Sequence, residues 1–107
     1  MASTLERDFH NAMLEIYRRA TSECNYRPMR FQHMVNERGG LQAAKDLLKS
    51  DRHSEGLTTL WEHNKLSISM EALVLQPRWR SLFTEVELAV ARKRLSELGY
   101  DPTAHHT

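Results

Sequence analysis

Along residues 4–24, Leu5, Phe9, Ala12, Met13, Ile16, Tyr17, Ala20 and Cys24 recur on one stripe at roughly 100° per residue. Glu6, Asp8, Asn11, Glu15, Arg18, Arg19 and Ser22 fill the other side. This pattern predicts one amphipathic helix, with Ser3 and Glu6 at capping-box spacing and Leu14 alone off the stripe. Asn25-Tyr26-Arg27-Pro28 predicts a turn with proline at the next helix start. That second helix, over 28–37, carries Phe31, Met34 and Val35 on one side. Gly39-Gly40 ends it, because glycine accepts the left-handed backbone that closes a helix. A third helix over 41–49 groups Leu41, Ala44, Leu47 and Leu48, and the polar stretch Ser50 to Glu55 reads as a loop.

A short fourth helix over 57–63 is expected to bury Leu57, Leu60 and Trp61. Ser67 or Ser69 then caps a fifth, running to about Gln76. Its Ile68, Met70, Ala72, Leu73, Val74 and Leu75 point all round the axis, the pattern of a central, buried helix. Pro77 starts a turn carrying Trp79, Leu82 and Phe83. Thr84 and Glu87 form a second capping box for a last helix over 85–98, which ends on Gly99 with Tyr100 placed for a Schellman contact. Residues 101–107 hold no periodic apolar residue and read as a tail. No stretch alternates as a strand does, so the expected fold is all-α: one compact domain over 1–100, of five to six short-to-medium helices.

Composition narrows the function classes. Fifteen Lys plus Arg against fourteen Asp plus Glu leave a net charge of +1, which excludes a strongly basic nucleic-acid coat. One cysteine among 107 residues excludes an internal disulfide framework and a multi-cysteine zinc site, and fits a reducing cytoplasm. Charge begins at Glu6, so no apolar run suits a signal peptide, and no window approaches the ~18 apolar residues of a membrane span. The chain is therefore read as cytoplasmic, with no membrane partner.

Candidate chemistry is sparse. His10, His33, His53 and His63 fall in separate elements, without the i, i+4 pairing of a metal site, and His105-His106 sits in the tail. They are read as surface histidines. Cys24 lies on the apolar stripe, where a thiol is inert. Gly39-Gly40 lacks the Gly-Lys-Ser/Thr of a phosphate loop. No catalytic set, metal site, cofactor or small-molecule substrate is indicated. Residues 57–76 have helix-turn-helix spacing, but Ser69, Glu71 and Gln76 make a poor polar face for base edges. Arg78-Trp79-Arg80, with Arg92 and Lys93, is the better nucleic-acid candidate, an aromatic between guanidinium groups that could stack a base. The plainer reading plugs Trp79 into the core and leaves the arginines in water.

Two charges stand among apolar neighbours. Glu71 lies in the apolar fifth helix, and Arg94 lies between Leu88, Ala91, Leu95 and Leu98 on one side and Val86 and Val90 on the other. A charge near a core needs a partner, so a structural bridge from Arg94 to Glu71 or Glu62 is expected. Met13, Met34 and Met70 read as core filler. Met29, Leu14, Val86 and Val90 instead suggest an adaptable exposed patch for a partner protein or a second copy of the chain.

Several segments together carry a resemblance: Phe31-Gln32-His33-Met34, Gly39-Gly40-Leu41-Gln42-Ala43-Ala44-Lys45, Leu60-Trp61-Glu62, Leu66 to Leu75, Leu82-Phe83-Thr84-Glu85, Ala91-Arg92-Lys93-Arg94-Leu95 and Gly99-Tyr100. From about Arg7 to Tyr100 the chain resembles a widespread group of small uncharacterised bacterial helical proteins. The resemblance implies a bacterial origin and a self-contained helical unit, and it transfers no catalytic residue. The sequence thus favours a non-catalytic accessory or regulatory protein that works by protein–protein binding, including self-association. A nucleic-acid-associated regulator is the alternative, and an enzyme is least favoured.

Overall fold

The long apolar stripe of residues 4–24 folds as predicted, into α1 (Thr4–Cys24), with Phe9, Met13, Ile16, Ala20 and Cys24 buried along one face. The structure is a computed structural model that describes residues 4–49 and 55–101. Ser3 of the first capping box, His53 with most of the polar loop, and the tail from Pro102, including His105 and His106, lie outside the described residues. After α1 come α2 (Met29–Arg38), α3 (Gly40–Lys49) and α4 (Glu55–Glu62). A 3₁₀ turn (Leu66–Ile68), α5 (Met70–Val74), a 3₁₀ helix (Pro77–Leu82) and α6 (Glu85–Glu97) complete the chain. Among the described residues there is no strand, and none of the helices is long and apolar enough to cross a membrane. The fold is a single all-α domain with a radius of gyration of 12.8 Å, close to the ~13 Å expected of one compact unit of about 100 residues.

The ends of the helices follow local chemistry. The Thr84 hydroxyl accepts the Glu87 N–H, and the Glu87 carboxylate accepts the Thr84 N–H, so the second capping box is reciprocal. At the other end of α6, Gly99 takes φ 77°, with Tyr100 N–H donating to Leu95 O and Gly99 N–H to Ser96 O, the two bonds of a Schellman motif. The same pair closes α4, from Lys65 N–H to Leu60 O and from Asn64 N–H to Trp61 O. There Asn64 at φ 61° does the work more often given to glycine.

The fifth helix is shorter than its apolar run. Ser69 caps it, its hydroxyl accepting the Ala72 N–H at 3.1 Å, but the helix stops at Val74. Gln76 is extended at φ −66°, ψ 138° because Pro77 excludes the helical region for the residue before it. Five residues cannot hold a helix alone. Met70, Glu71, Ala72 and Val74 are buried where α5 packs against both α1 and α6.

Tertiary packing corrects three expectations. Trp61 is 48% exposed: the Leu66–Ile68 turn is the element α4 contacts most, and Leu57 and Leu60 are buried while the indole is left at the edge. Leu14 is half-buried, because α1 is packed by α2, α3, α5 and both 3₁₀ segments, so even a residue off the main stripe meets a neighbour. Val90 is likewise half-buried against the core. Of the four-residue patch, Met29 at 60% and Val86 at 73% remain exposed.

The Gly39-Gly40 pair has two separate uses. Gly39, at φ 86°, ends α2. Gly40 opens α3 against α1 so closely that a Cβ there would lie 2.6 Å from the His10 Cα. Its N–H donates to His10 Nδ1 at 2.8 Å, so His10 caps the start of α3 rather than standing in solvent as a surface histidine.

Candidate functional site

A concavity lies between α1, α2, α3, α4 and the start of α5, with a cavity volume of about 520 Å³. That is within the volume range of small-molecule pockets. Its position follows from the turn after α1. Asn25, at φ 51°, ends the helix, and Tyr26 N–H folds back to Ala20 O at 3.2 Å. Pro28 then directs the chain into α2, bringing Met29 Sδ to 3.6 Å from the Tyr17 hydroxyl, which donates to it. The returning α2 packs against α1, and both line the cleft.

The walls are apolar: Ile16 and Ala20 from α1, Phe31 and Met34 from α2, Leu47 from α3, and Leu57 and Leu60 from α4. Met70 contributes from α5, and Met29 stands at the rim. Thus three of the chain's five methionines meet at one cleft. Polar groups that reach the cleft floor are already engaged within the protein. The Ser69 hydroxyl donates to Leu66 O at 2.7 Å and accepts from Ala72 N–H. The Glu71 carboxylate accepts from Arg94 Nη1 at 3.1 Å, with both side chains almost fully buried. Arg27 and Arg30 also line the cleft, both exposed, and neither forms an ion pair among the described residues.

The structure assigns the buried bridge to Glu71 and Arg94, joining α5 to α6. Glu62, the other carboxylate considered, is exposed at the end of α4. A pair this deep is weak evidence of stability, but removing one partner strands a buried charge.

The basic–aromatic segment is dismantled by packing. Trp79 is 3% exposed and meets the Phe9 ring edge-to-face at 5.4 Å, and Phe9 meets Phe83 in the same way at 5.4 Å. Arg78 lies over the Trp79 ring at 4.5 Å and bridges to Asp8 at 2.8 Å. Arg80, Arg92 and Lys93 are exposed. The indole that was to stack a base is a core residue, because the 3₁₀ helix after Pro77 turns it inward. Its N–H finds no hydrogen-bond partner among the described residues.

The remaining titratable groups are local. Burial, with a smaller push from Glu23, raises the Cys24 thiol above its ordinary pKa, which keeps it protonated and unreactive. His33 pairs with Glu37 on the exposed side of α2, and His63 Nδ1 lies 2.9 Å from Thr59 O. Glu87, a mostly buried carboxylate, receives Lys45 Nζ at 2.8 Å. Burial, the largest influence, raises its pKa, but the bonds from Lys45 and Thr84 together outweigh it and hold the group below the ordinary carboxylate value.

Met70 is buried in the core and Met34 packs against it, as their stripe positions predict, but the stripe alone does not show that both also border a cleft. The available signal was Arg27-Pro28-Met29-Arg30, in which a large apolar side chain is bracketed by cations just after a turn. Comparisons with protein-family models, curated proteins and solved structures returned no match, so function is read from the geometry of the cleft.

Proposed function

We propose that this chain is a non-catalytic bacterial accessory protein of the cytoplasm, which works by receiving the apolar face of a partner protein in the α1–α2–α4 cleft. The observation that carries this reading is the convergence of Met29, Met34 and Met70 on one open, apolar concavity. Methionine is unbranched and polarisable, so surfaces rich in it adapt to differently shaped side chains. The bacterial setting follows from the resemblance over Arg7 to Tyr100, and the cytoplasmic one from the single, unbridged cysteine. Base stacking by Trp79 is not part of this reading, since exposing that ring means opening the core.

A photo-crosslinking residue in place of Met29 in the native host tests the proposal, with the same residue in place of Val86 as the control. One protein is expected to be captured from position 29 and not from 86. Capture should vanish in a Met34→Glu background whose helical circular dichroism is unchanged. Equal capture from 86, or capture that survives Met34→Glu, overturns the proposal.

A further inference from the structure

The charges at the mouth of the cleft define its occupant more closely. Arg27 and Arg30 flank Met29, are exposed, and have no ion-pair partner among the described residues. Neighbouring charges are engaged elsewhere: Glu23 with Arg19 and Lys65, Glu15 with Arg18, and Glu37 with His33. Glu71, the carboxylate on the floor, is matched by Arg94. An occupant therefore meets apolar walls and then, at the rim, positive charge with no ion-pair partner among the described residues.

Of the common ways of holding a peptide, strand addition needs a sheet edge, and the described residues contain no strand. Recognition of a polyproline segment needs an aromatic-lined groove, whereas this cleft is lined mainly by methionine, leucine and isoleucine, with Tyr26 and Phe31 as its aromatics. A groove walled by helices and lined by adaptable methionines fits an amphipathic helix instead. We infer that the cleft takes an acidic amphipathic helix of a partner, with apolar anchors against the half-buried Phe31, Met34 and Leu47 and carboxylates against Arg27 and Arg30. This rests on the protein-docking reading proposed above.

Two labelled synthetic peptides of roughly 18 residues, long enough for helix formation, test the inference by fluorescence anisotropy. They share one Leu/Phe face at i, i+3, i+4 and i+7, and carry Glu in one and Lys in the other at the solvent positions. The intact protein is expected to bind the Glu peptide at least about tenfold more tightly, a preference that shrinks as salt is raised. The double variant Arg27→Glu/Arg30→Glu, whose thermal melt is expected to match the parent because both residues are exposed, should lose or reverse the preference. Equal binding of both peptides, or preference for the Lys peptide, overturns the acidic-helix inference while leaving helix docking in place. No binding of either peptide at about 100 μM, an affinity weaker than ~5.5 kcal/mol, overturns both readings together.

Discussion

The two faces of α1 are packed by different chemistry. On one side, Phe9 and Met13 share a buried core with Ala43, Ala44, Leu88 and Ala91, with Trp79 and Phe83 set edge-to-face against Phe9. Small alanines let helices approach, flat rings fill the space, and these side chains are buried. Toward α2 and α4, Ile16 and Ala20 meet Met29, Phe31, Met34 and Leu57 across an open concavity. Rings in defined rotamers specify one arrangement, whereas methionines tolerate several. The comparison teaches where rigidity and adaptability differ: ring packing holds the aromatic side, and the cleft proposed above for docking lies on the methionine side.

The sharpest way to break that contrast is a pair of truncations. Phe9→Ala removes a fully buried ring at the centre of the aromatic cluster and is expected to cost about 3–5 kcal/mol. Met34→Ala, at a half-buried position in the cleft wall, should cost less than about 2 kcal/mol, below the range for fully buried side chains. Urea denaturation of both variants checks it, and equal costs would erase the distinction between the two sides.

The Glu71–Arg94 bridge lies where the two regions meet. Arg94→Ala alone should cost about 3–5 kcal/mol because it strands the buried Glu71 carboxylate. Replacing both with methionine should restore most of that loss, since an apolar pair of similar volume leaves no unpaired charge. A double variant no more stable than Arg94→Ala would show that the bridge is not the source of the effect.

A smaller effect is expected on the aromatic side at Gly40→Ala. The new methyl group meets backbone at the His10 Cα, which cannot swing away as a flexible side-chain end could. The helices must separate and the His10 cap lengthen, for a cost of about 1–3 kcal/mol. Thermal melting of this variant beside Gly39→Ala separates the close approach at Gly40 from the left-handed backbone at Gly39.

The smallest expected effect depends on pH, at Glu87 on the aromatic side. Its folded-state pKa lies below the ordinary carboxylate value, so its contribution to stability is present above the unfolded-state pKa. That contribution is lost as pH falls through the folded value. Glu87→Gln should therefore be less stable than the parent at neutral pH, with the gap narrowing as pH falls from about 5, just above the ordinary Glu value of ~4.3, through the lower folded value. A gap that is constant or widens toward acid would contradict the Lys45–Glu87 bond as its cause.

How far the fold could be read from sequence varied with how local its cause was. The stripe from Leu5 to Cys24 gave α1 its bounds of Thr4 and Cys24, because a helix of that length commits many residues to one period. Thr84 with Glu87 and Gly99 with Tyr100 marked both ends of α6, because a cap is made by residues within a few positions of one another. The Glu71–Arg94 pairing was legible as a need for a partner, though the choice over Glu62 was not. Pro77 limits α5 locally, but nothing local announced that Trp61 would be left at an edge, or that Leu14 and Val90 would be half covered.

Sequence alone determined the all-α class, most helix ends and the presence of two charges that required burial with partners. These depend on backbone preference, periodicity and desolvation, all of which act within one element. The tertiary structure decided that Trp79 turns into the core beside Phe9, that His10 caps a helix thirty positions away, and that Met29, Met34 and Met70 converge on one cleft. Each of these depends on the angle at which one helix crosses another. That angle is set by how many side chains fit together at once, a property no single stretch of the chain contains.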